Sequence, residues 1–249
     1  MPRFFIKNEQ MQDNSITILG EDVKHIKNVL RKELGDIIEI CNQETGKAYK
    51  CEIIEIQEKS IINKILEELK NQEDNIKVDI YQGLPKADKM ELIIQKSVEL
   101  GANAIIPVEM KRCVVKIDSK SENKKIDRWQ KIAESAAKQS GRNIVPEVRK
   151  ITTVEEVAKL VKKYDCIMVA YENEKNNYLK KELLQLKEKL QENKNIKIGV
   201  VIGPEGGLEQ RDVELLKENG AKIVTLGNRI LRTETVALNI LSIIMYELE

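Results

Sequence analysis

Two short segments concentrate the residues able to do chemistry. In the first, the apolar run Ile198-Gly-Val-Val-Ile202 ends in Gly203-Pro204-Glu205-Gly206-Gly207, and a helical pattern follows. Glycine permits positive φ and lets a ligand approach the backbone closely. In the second, Leu226-Gly-Asn-Arg-Ile-Leu-Arg-Thr-Glu-Thr235, the charges Arg229, Arg232 and Glu234 crowd around Ile230 and Leu231. A solvated loop accounts for the charges but not for the apolar pair between them. Each loop follows a buried-type strand and precedes a helix, which places it at the carboxyl end of a parallel strand, where α/β proteins bind ligands. Two such loops at neighbouring strand ends predict one shared cleft. Neither loop has the GxxxxGK[ST] or GxGxxG spacing, which disfavours a phosphate loop or a dinucleotide-binding dehydrogenase.

Other chemistries are narrowed by what the chain holds little of. His25 is the single histidine, so His-based hydrolysis and most zinc sites would have to pass through it. Its setting, Asp22-Val-Lys-His-Ile-Lys27, reads as a helix surface suited to a structural or contact role. Cys41, Cys51, Cys113 and Cys166 lack the spacing of a zinc knuckle or redox motif, so reduced thiols and no metal are expected.

The elements that must position the loops follow from pattern and composition. The chain has 249 residues, 33% charged and 41% apolar, with 12 Gly and 5 Pro, and so excludes disordered and collagenous classes. It has no apolar run near the roughly 20 residues of a membrane span, and its start lacks a secretory pattern. A cytoplasmic protein is the expectation. Segments 16–19, 36–41, 48–56 and 60–66 alternate or are rich in isoleucine, with Gly20, Gly35 and Gly46 between them, and predict a small β-barrel. One helix, about 21–32, interrupts them, with Asp22 as its cap. The polar stretch 69–75 reads as a linker. Beyond it, strands at 77–82, 104–108, 166–170, 197–202 and 222–226 alternate with helices at 86–100, 125–140, 154–163, 179–193, 209–219 and 233–248. That rhythm predicts an α/β domain with a mostly parallel sheet. The expected domains are 1–73 and 74–249. The net charge of +1 hides a basic middle: residues 86–150 carry 15 Lys and Arg against 9 Asp and Glu. Lys24, Lys27 and Arg31 form a second basic cluster on one expected helix face. Two basic zones in a near-neutral chain favour a polyanion partner.

Five pieces in order resemble the RsmE family, the 16S ribosomal RNA (uracil-N3)-methyltransferases of the SPOUT or α/β-knot superfamily. They are Met1-Pro-Arg-Phe-Phe5 with His25 to Arg31; Lys86 through Gly101 with Ile106-Pro-Val108; Trp129 to Glu134 with Gln139-Ser-Gly-Arg142; Ile202 to Gly207; and Leu226 to Thr235. Two departures stand out: Val236 precedes Ala237 where the family usually has alanine first, and Lys138 replaces a commonly acidic residue. The resemblance implies a PUA-like β-barrel that binds RNA, followed by an α/β domain threaded as a deep trefoil knot, and a homodimer.

It also implies the cofactor S-adenosylmethionine, held by Ala170, Tyr171 and Glu172, by Ile202, Gly203, Glu205, Gly206 and Gly207, and by Leu226, Gly227, Ile230, Leu231, Arg232 and Thr235. Arg232 and Glu234 fall at the reactive end. Arg232 is the expected stabiliser of the uracil anion, with Arg142 a second catalytic candidate. Glu205 or Glu234 accepts the N3 proton or orients an arginine. The expected contacts to 16S rRNA are Arg3, Lys24, His25, Lys27 and Arg31 in the barrel, and Lys86, Lys111, Arg112 and Arg142 beyond it. Competing expectations are a knot methyltransferase for ribose 2′-O or guanine N1, which shares the cleft, and a non-catalytic RNA-binding module, which needs no paired glycine loops.

Overall fold

The structure, a computed structural model, describes residues 3–71, 73, 75–192 and 195–248. Met1 and Pro2 of the opening motif, Gln72 and Asp74 of the expected linker, and Asn193 at the end of an expected helix lie outside the described residues. The chain falls into two compact units, Met1–Glu73 with Ala137–Val145, and Asp74–Ala136 with Pro146–Glu249.

In the first unit the strands are β1 (Arg3–Ile6), β2 (Met11–Gln12), β3 (Ser15–Leu19), β4 (Ile37–Asn42), β5 (Ala48–Ile56) and β6 (Ser60–Leu69). They form one curled sheet in the order β1-β4-β5-β6-β3-β2. Alternation explains the core: Ile16 and Ile18 of β3, Ile38 and Ile40 of β4, and Ile53 and Ile61 all point inward onto Phe4 and Ile6. Register shifts at Lys50/Cys51 and Ile53/Glu55 mark bulges, which bend the long β5–β6 pair around that core. Strand β1 is buried along its whole length and pairs parallel to β4. It has no alternation, so pattern reading passes over it.

The expected helix over 21–32 is corrected. Helix α1 (Glu21–Lys24) gives way to a π-turn over His25–Val29, and Arg31 has a left-handed φ of 51°. Gly20, not Asp22, is the N-cap; the Asp22 carboxylate instead accepts from Lys138 Nζ at 2.9 Å. The shared face expected for Lys24, Lys27 and Arg31 is therefore broken.

The second unit holds β7 (Ile76–Gly83), α2 (Lys89–Glu99), β8 (Ala104–Glu109), most of α3 (Ser119–Ser140), β9 (Glu147–Val148), β10 (Thr152–Thr153), α4 (Val154–Leu160), β11 (Cys166–Ala170), α5 (Leu179–Glu192), β12 (Ile196–Ile202), α6 (Gln210–Glu218), β13 (Lys222–Val224) and α7 (Thr233–Leu248). Strand order is β10-β8-β7-β12-β11-β13, with β9 against β8, and every pair is parallel. The strands read as continuous apolar runs because helices cover the sheet. Helix α2 buries Met90, Ile93, Ile94, Ser97 and Val98, the spacing of one helical face. It stops at Gly101, whose φ of 97° suits a helix end and whose missing Cβ admits Met245 of α7. Among the described residues no helix is long and apolar enough to cross a membrane.

Candidate functional site

Strands β12, β11 and β13 lie side by side, so their carboxyl ends open onto one crevice. A cavity of about 760 Å³ occupies it, within the roughly 300–1,000 Å³ of small-molecule sites. Its walls are the segments expected from the two glycine loops: Ala170, Tyr171 and Glu172; Ile202 to Gly207; and Leu226 to Arg232. The expected shared cleft is thus one cavity within the second unit. Thr235 is a correction: it is exposed and lies outside the lining, whereas Thr233 and Val236 line it. The 100° step of α7 turns residue 235 away while 232, 233 and 236 face in.

The glycine loop is packed from behind. A Cβ on Gly83, at the end of β7, would lie 2.7 Å from the Pro204 backbone nitrogen. A Cβ on Gly203 would lie 3.0 Å from the Gly207 carbonyl carbon, and one on Gly207, at a φ of 73°, would strike the Glu172 carboxylate. Only glycine lets the loop fold this tightly. Below it runs a buried chain: Gln82 Nε2 donates to Thr233 Oγ1 at 2.8 Å, and that hydroxyl donates to the Gly203 carbonyl at 2.7 Å. It ties β7, the first turn of α7 and the loop together. Gly83 and Gln82 carry no local signal in the sequence, since their partners are far away in the chain.

The cavity's rim is charged. Lys89 Nζ sits 3.0 Å from Glu205 Oε1 and 3.2 Å from Glu234 Oε2. The contact to Glu234 is ionic, without hydrogen-bond geometry. Glu205 also accepts from the Lys86 backbone N–H at 3.1 Å. Burial pushes the Glu205 carboxyl up, but the backbone N–H groups and Lys89 outweigh it and hold it below its ordinary value. Hydrogen bonding to Glu205 raises Lys89 above its ordinary value, so it stays an ammonium. Glu234 stands behind Lys89, outside the lining. Arg229 and Arg232 line the cavity, are exposed, and have no ion pair with the described residues. Arg112 Nη1 donates to the Gly206 carbonyl at 3.1 Å, and Lys111 pairs with Glu209 at 3.1 Å. Lys86, Lys111 and Arg112 are all exposed.

In the first unit, Lys24, His25 and Arg31 are exposed, and the His25 ring meets Phe4 edge-on at 6.3 Å. Lys27 Nζ donates to the Gln57 carbonyl at 3.1 Å. Arg3 is a correction. It is 7% exposed, and its guanidinium is held by Glu39 at 2.7 Å, by Asn143 and by the Gly141 carbonyl. Arg142 is held by Glu73 at 2.6 Å and is not part of the cavity's lining. Both arginines fasten 137–145 into the first unit. The four thiols are free; burial pushes Cys41 and Cys51 up to about 12 and Cys166 to about 11. They are held as unreactive thiols. Among the described residues no cluster could hold a metal ion.

Comparison with known proteins agrees with this geometry. Residues 72–245 match a family described as an RNA methyltransferase domain, and residues 18–66 an RNA methyltransferase PUA domain. The ribosomal RNA small subunit methyltransferase E of Bacillus subtilis (strain 168) is 41% identical, over 100% of this chain and 98% of that protein. Its counterpart from Neisseria gonorrhoeae, solved bound to S-adenosyl methionine, is 30% identical, with a TM-score of 0.79 over 99% of this chain and 97% of that one. A Legionella pneumophila putative methyltransferase, solved with bound SAM, is 28% identical, with a TM-score of 0.83 over 98% and 96%. A match over the whole chain, together with a cleft at the expected strand ends, establishes that this chain belongs to the family of ribosomal RNA small subunit methyltransferases E.

Proposed function

We propose that the chain transfers the methyl group of S-adenosylmethionine to N3 of one uridine in 16S rRNA. The observation that carries this reading is the cavity between two glycine loops, bordered by two arginines with no ion pair among the described residues. The residues fit the cofactor. Gly203, Gly206 and Gly207 expose backbone where side chains would intrude, and Leu226, Leu231 and Val236 supply apolar surface for an adenine ring. Glu172 lines the cavity with its carboxylate beside Gly207, suited to hydroxyl donors.

When bound, the cofactor supplies an electrophilic sulfonium methyl. The protein's task lies with the uracil. The N3–H bond breaks with its proton passing to solvent, the N3–CH3 bond forms, and the S–CH3 bond breaks with its electron pair staying on sulfur. Positioning N3 in line supplies much of the rate. Arg232 stabilises the negative charge that develops on a uracil carbonyl oxygen. Glu234, behind Lys89, acts by orientation and does not itself touch the base. N3 lies on the Watson–Crick edge, so the target uridine is unpaired or flipped out.

In this reading residues 1–73 form the RNA-binding PUA-like barrel, and residues 74–249 the methyltransferase domain threaded as a trefoil knot. A second copy covers apolar residues left exposed, such as Tyr178, Leu184, Ile230 and Tyr246, giving a homodimer. Phosphate contacts come from Lys24, His25 and Arg31 and from Lys86, Lys111 and Arg112. Replacing Lys24 and Arg31 together by alanine lowers rRNA affinity, and the slope of log affinity against log salt shrinks by about 1 per lost contact. An unchanged slope in filter binding removes these two from the interface.

The glycine packing yields a further expectation. Gly83→Ala forces Pro204 outward, and overpacking of this kind costs roughly 1–3 kcal/mol. S-adenosylmethionine affinity, read by calorimetry, falls about tenfold or more, while the far-ultraviolet dichroism stays native. Unaltered affinity means the loop does not hold the cofactor. The activity itself is tested by nucleoside mass mapping of 16S rRNA after incubation with protein and cofactor. N3-methyluridine is expected; methylation at ribose 2′-O or guanine N1 overturns the substrate assignment.

A further inference from the structure

Uracil N3 is flanked by two carbonyl groups. When N3 loses its proton the charge spreads over both oxygens, so the chemistry demands a donor on each side. Arg232 serves one. Lys89, Lys175 and Arg229 also line the cavity, and of these Lys89 is the one held by two carboxylates among the described residues.

Lys89 opens helix α2, where its charge meets the positive end of the helix dipole, an unfavourable place for a lysine. The turn before it is strained: Ala87 has a φ of 52°, a conformation that costs a residue with a Cβ. That turn also aims the Lys86 N–H at Glu205. Local rules broken together in this way mark a functional site. The reason for the placement is visible in the donor inventory. An ammonium has three N–H groups. Glu205 takes one at 3.0 Å, and Glu234 stands at 3.2 Å on another side. Beyond these two carboxylates the ammonium has no ion-pair partner among the described residues, and the side chain lines the cavity. Two carboxylates from separate elements, the glycine loop and the first turn of α7, thus hold one cation at the cavity wall.

We propose that Lys89 is a catalytic residue of the methyl transfer, donating an N–H to the uracil carbonyl oxygen that Arg232 does not serve. The proposal rests on the uracil-N3 reading above. Lys89 moves no proton: it remains an ammonium while the N3 proton passes to solvent and the N3–CH3 bond forms. Glu205 and Glu234 are its positioning residues. Such an arrangement is preorganised, so no side chain needs to reorient as charge develops.

The test compares wild type, Lys89→Met and Lys89→Arg with intact small-subunit rRNA substrate, reading kcat, KM for RNA, cofactor affinity and the pH profile. The other titratable groups facing the cavity are Tyr171, Glu172, Glu174, Lys175, Arg229 and Arg232, alongside Glu205. In Lys89→Met, kcat falls about 100-fold with cofactor affinity within threefold. Its kcat then climbs with pH more steeply than that of wild type, because the solvent supplies the uracil anion the ammonium no longer stabilises. Lys89→Arg recovers a substantial part of the lost rate. A wild-type kcat in Lys89→Met overturns the proposal. So does a slow Lys89→Met whose pH profile parallels wild type and which arginine does not rescue, since that is a merely structural role. If the wild-type arm forms no N3-methyluridine, the uracil-N3 reading itself has failed, and that is seen before any variant is compared.

Discussion

Arg232→Ala lowers kcat for rRNA methylation at saturating S-adenosylmethionine about 100-fold or more, the usual cost of removing one preorganised donor to a developing anion. Arg232 lines the cavity, is exposed, and has no ion pair with the described residues, so its charge is not spent on the fold. The next residue, Thr233, is anchored by its hydroxyl to Gly203 and Gln82, which fixes where the guanidinium starts. Lysine at this position restores only part of the rate, because a flexible ammonium lacks the planar fork of arginine. Single-turnover kinetics with saturating cofactor reads the chemical step without product release. A single-turnover rate equal to wild type would remove Arg232 from the mechanism.

Asp79→Ala unfolds the second unit at a temperature lower by about 6–12 °C while cofactor affinity is retained. Asp79 is fully buried in β7. Its carboxylate accepts from Tyr164 at 2.6 Å and from Asn103 at 2.5 Å, with Arg149 at 3.4 Å and Lys197 at 3.7 Å. These partners stand before β8 and β11, near β9 and in β12, so one carboxylate gathers strands that are distant in sequence. Burial first, and then the hydrogen bond with Asp79, push the Tyr164 phenol far above its ordinary value, so it is always a donor. Tyr164 in turn meets Tyr81 at 2.8 Å. Removing one member of a buried charged network costs roughly 3–5 kcal/mol. The lower end applies here, because the Arg149 and Lys197 side chains are 38% and 40% exposed and can be rehydrated. About 3 kcal/mol corresponds to 2–4 °C per kcal/mol in a unit of this size. The network lies toward the amino ends of the strands and the cavity at their carboxyl ends, which is why affinity is spared. Calorimetric melting reads the result; a midpoint within 2 °C of wild type contradicts this role for Asp79.

What the sequence could reveal depended on how local each cause was. The glycine loops were legible because glycine, proline and charge cluster within ten residues and follow isoleucine and valine runs. Helix α7 was legible because its apolar spacing is helical throughout. The second unit's alternation of strand and helix likewise reports itself residue by residue. By contrast, the choice between a free and a spent arginine is made by partners far along the chain. Arg3 and Arg142 resemble phosphate contacts until Glu39 and Glu73 are seen beside them. Lys89 resembles an ordinary surface lysine until two distant carboxylates converge on it. Gly83 resembles the end of a strand until Pro204 is seen packed on it. The error at Thr235 has a different origin: the motif included it, but the helical step decides which of its residues face the cavity. The break of the helix at His25 was hidden because nothing in the run from Asp22 to Arg31 is a helix breaker.

In the proposed function the crevice between the Gly203–Gly207 and Leu226–Arg232 loops holds the methyl donor. Titration calorimetry of S-adenosylmethionine into wild type and Gly83→Ala is the decisive measurement. One site per chain is expected, saturable at micromolar cofactor in the wild type and weakened about tenfold or more by the added methyl group. Absence of binding heat across several temperatures, or equal affinity in the two proteins, contradicts it.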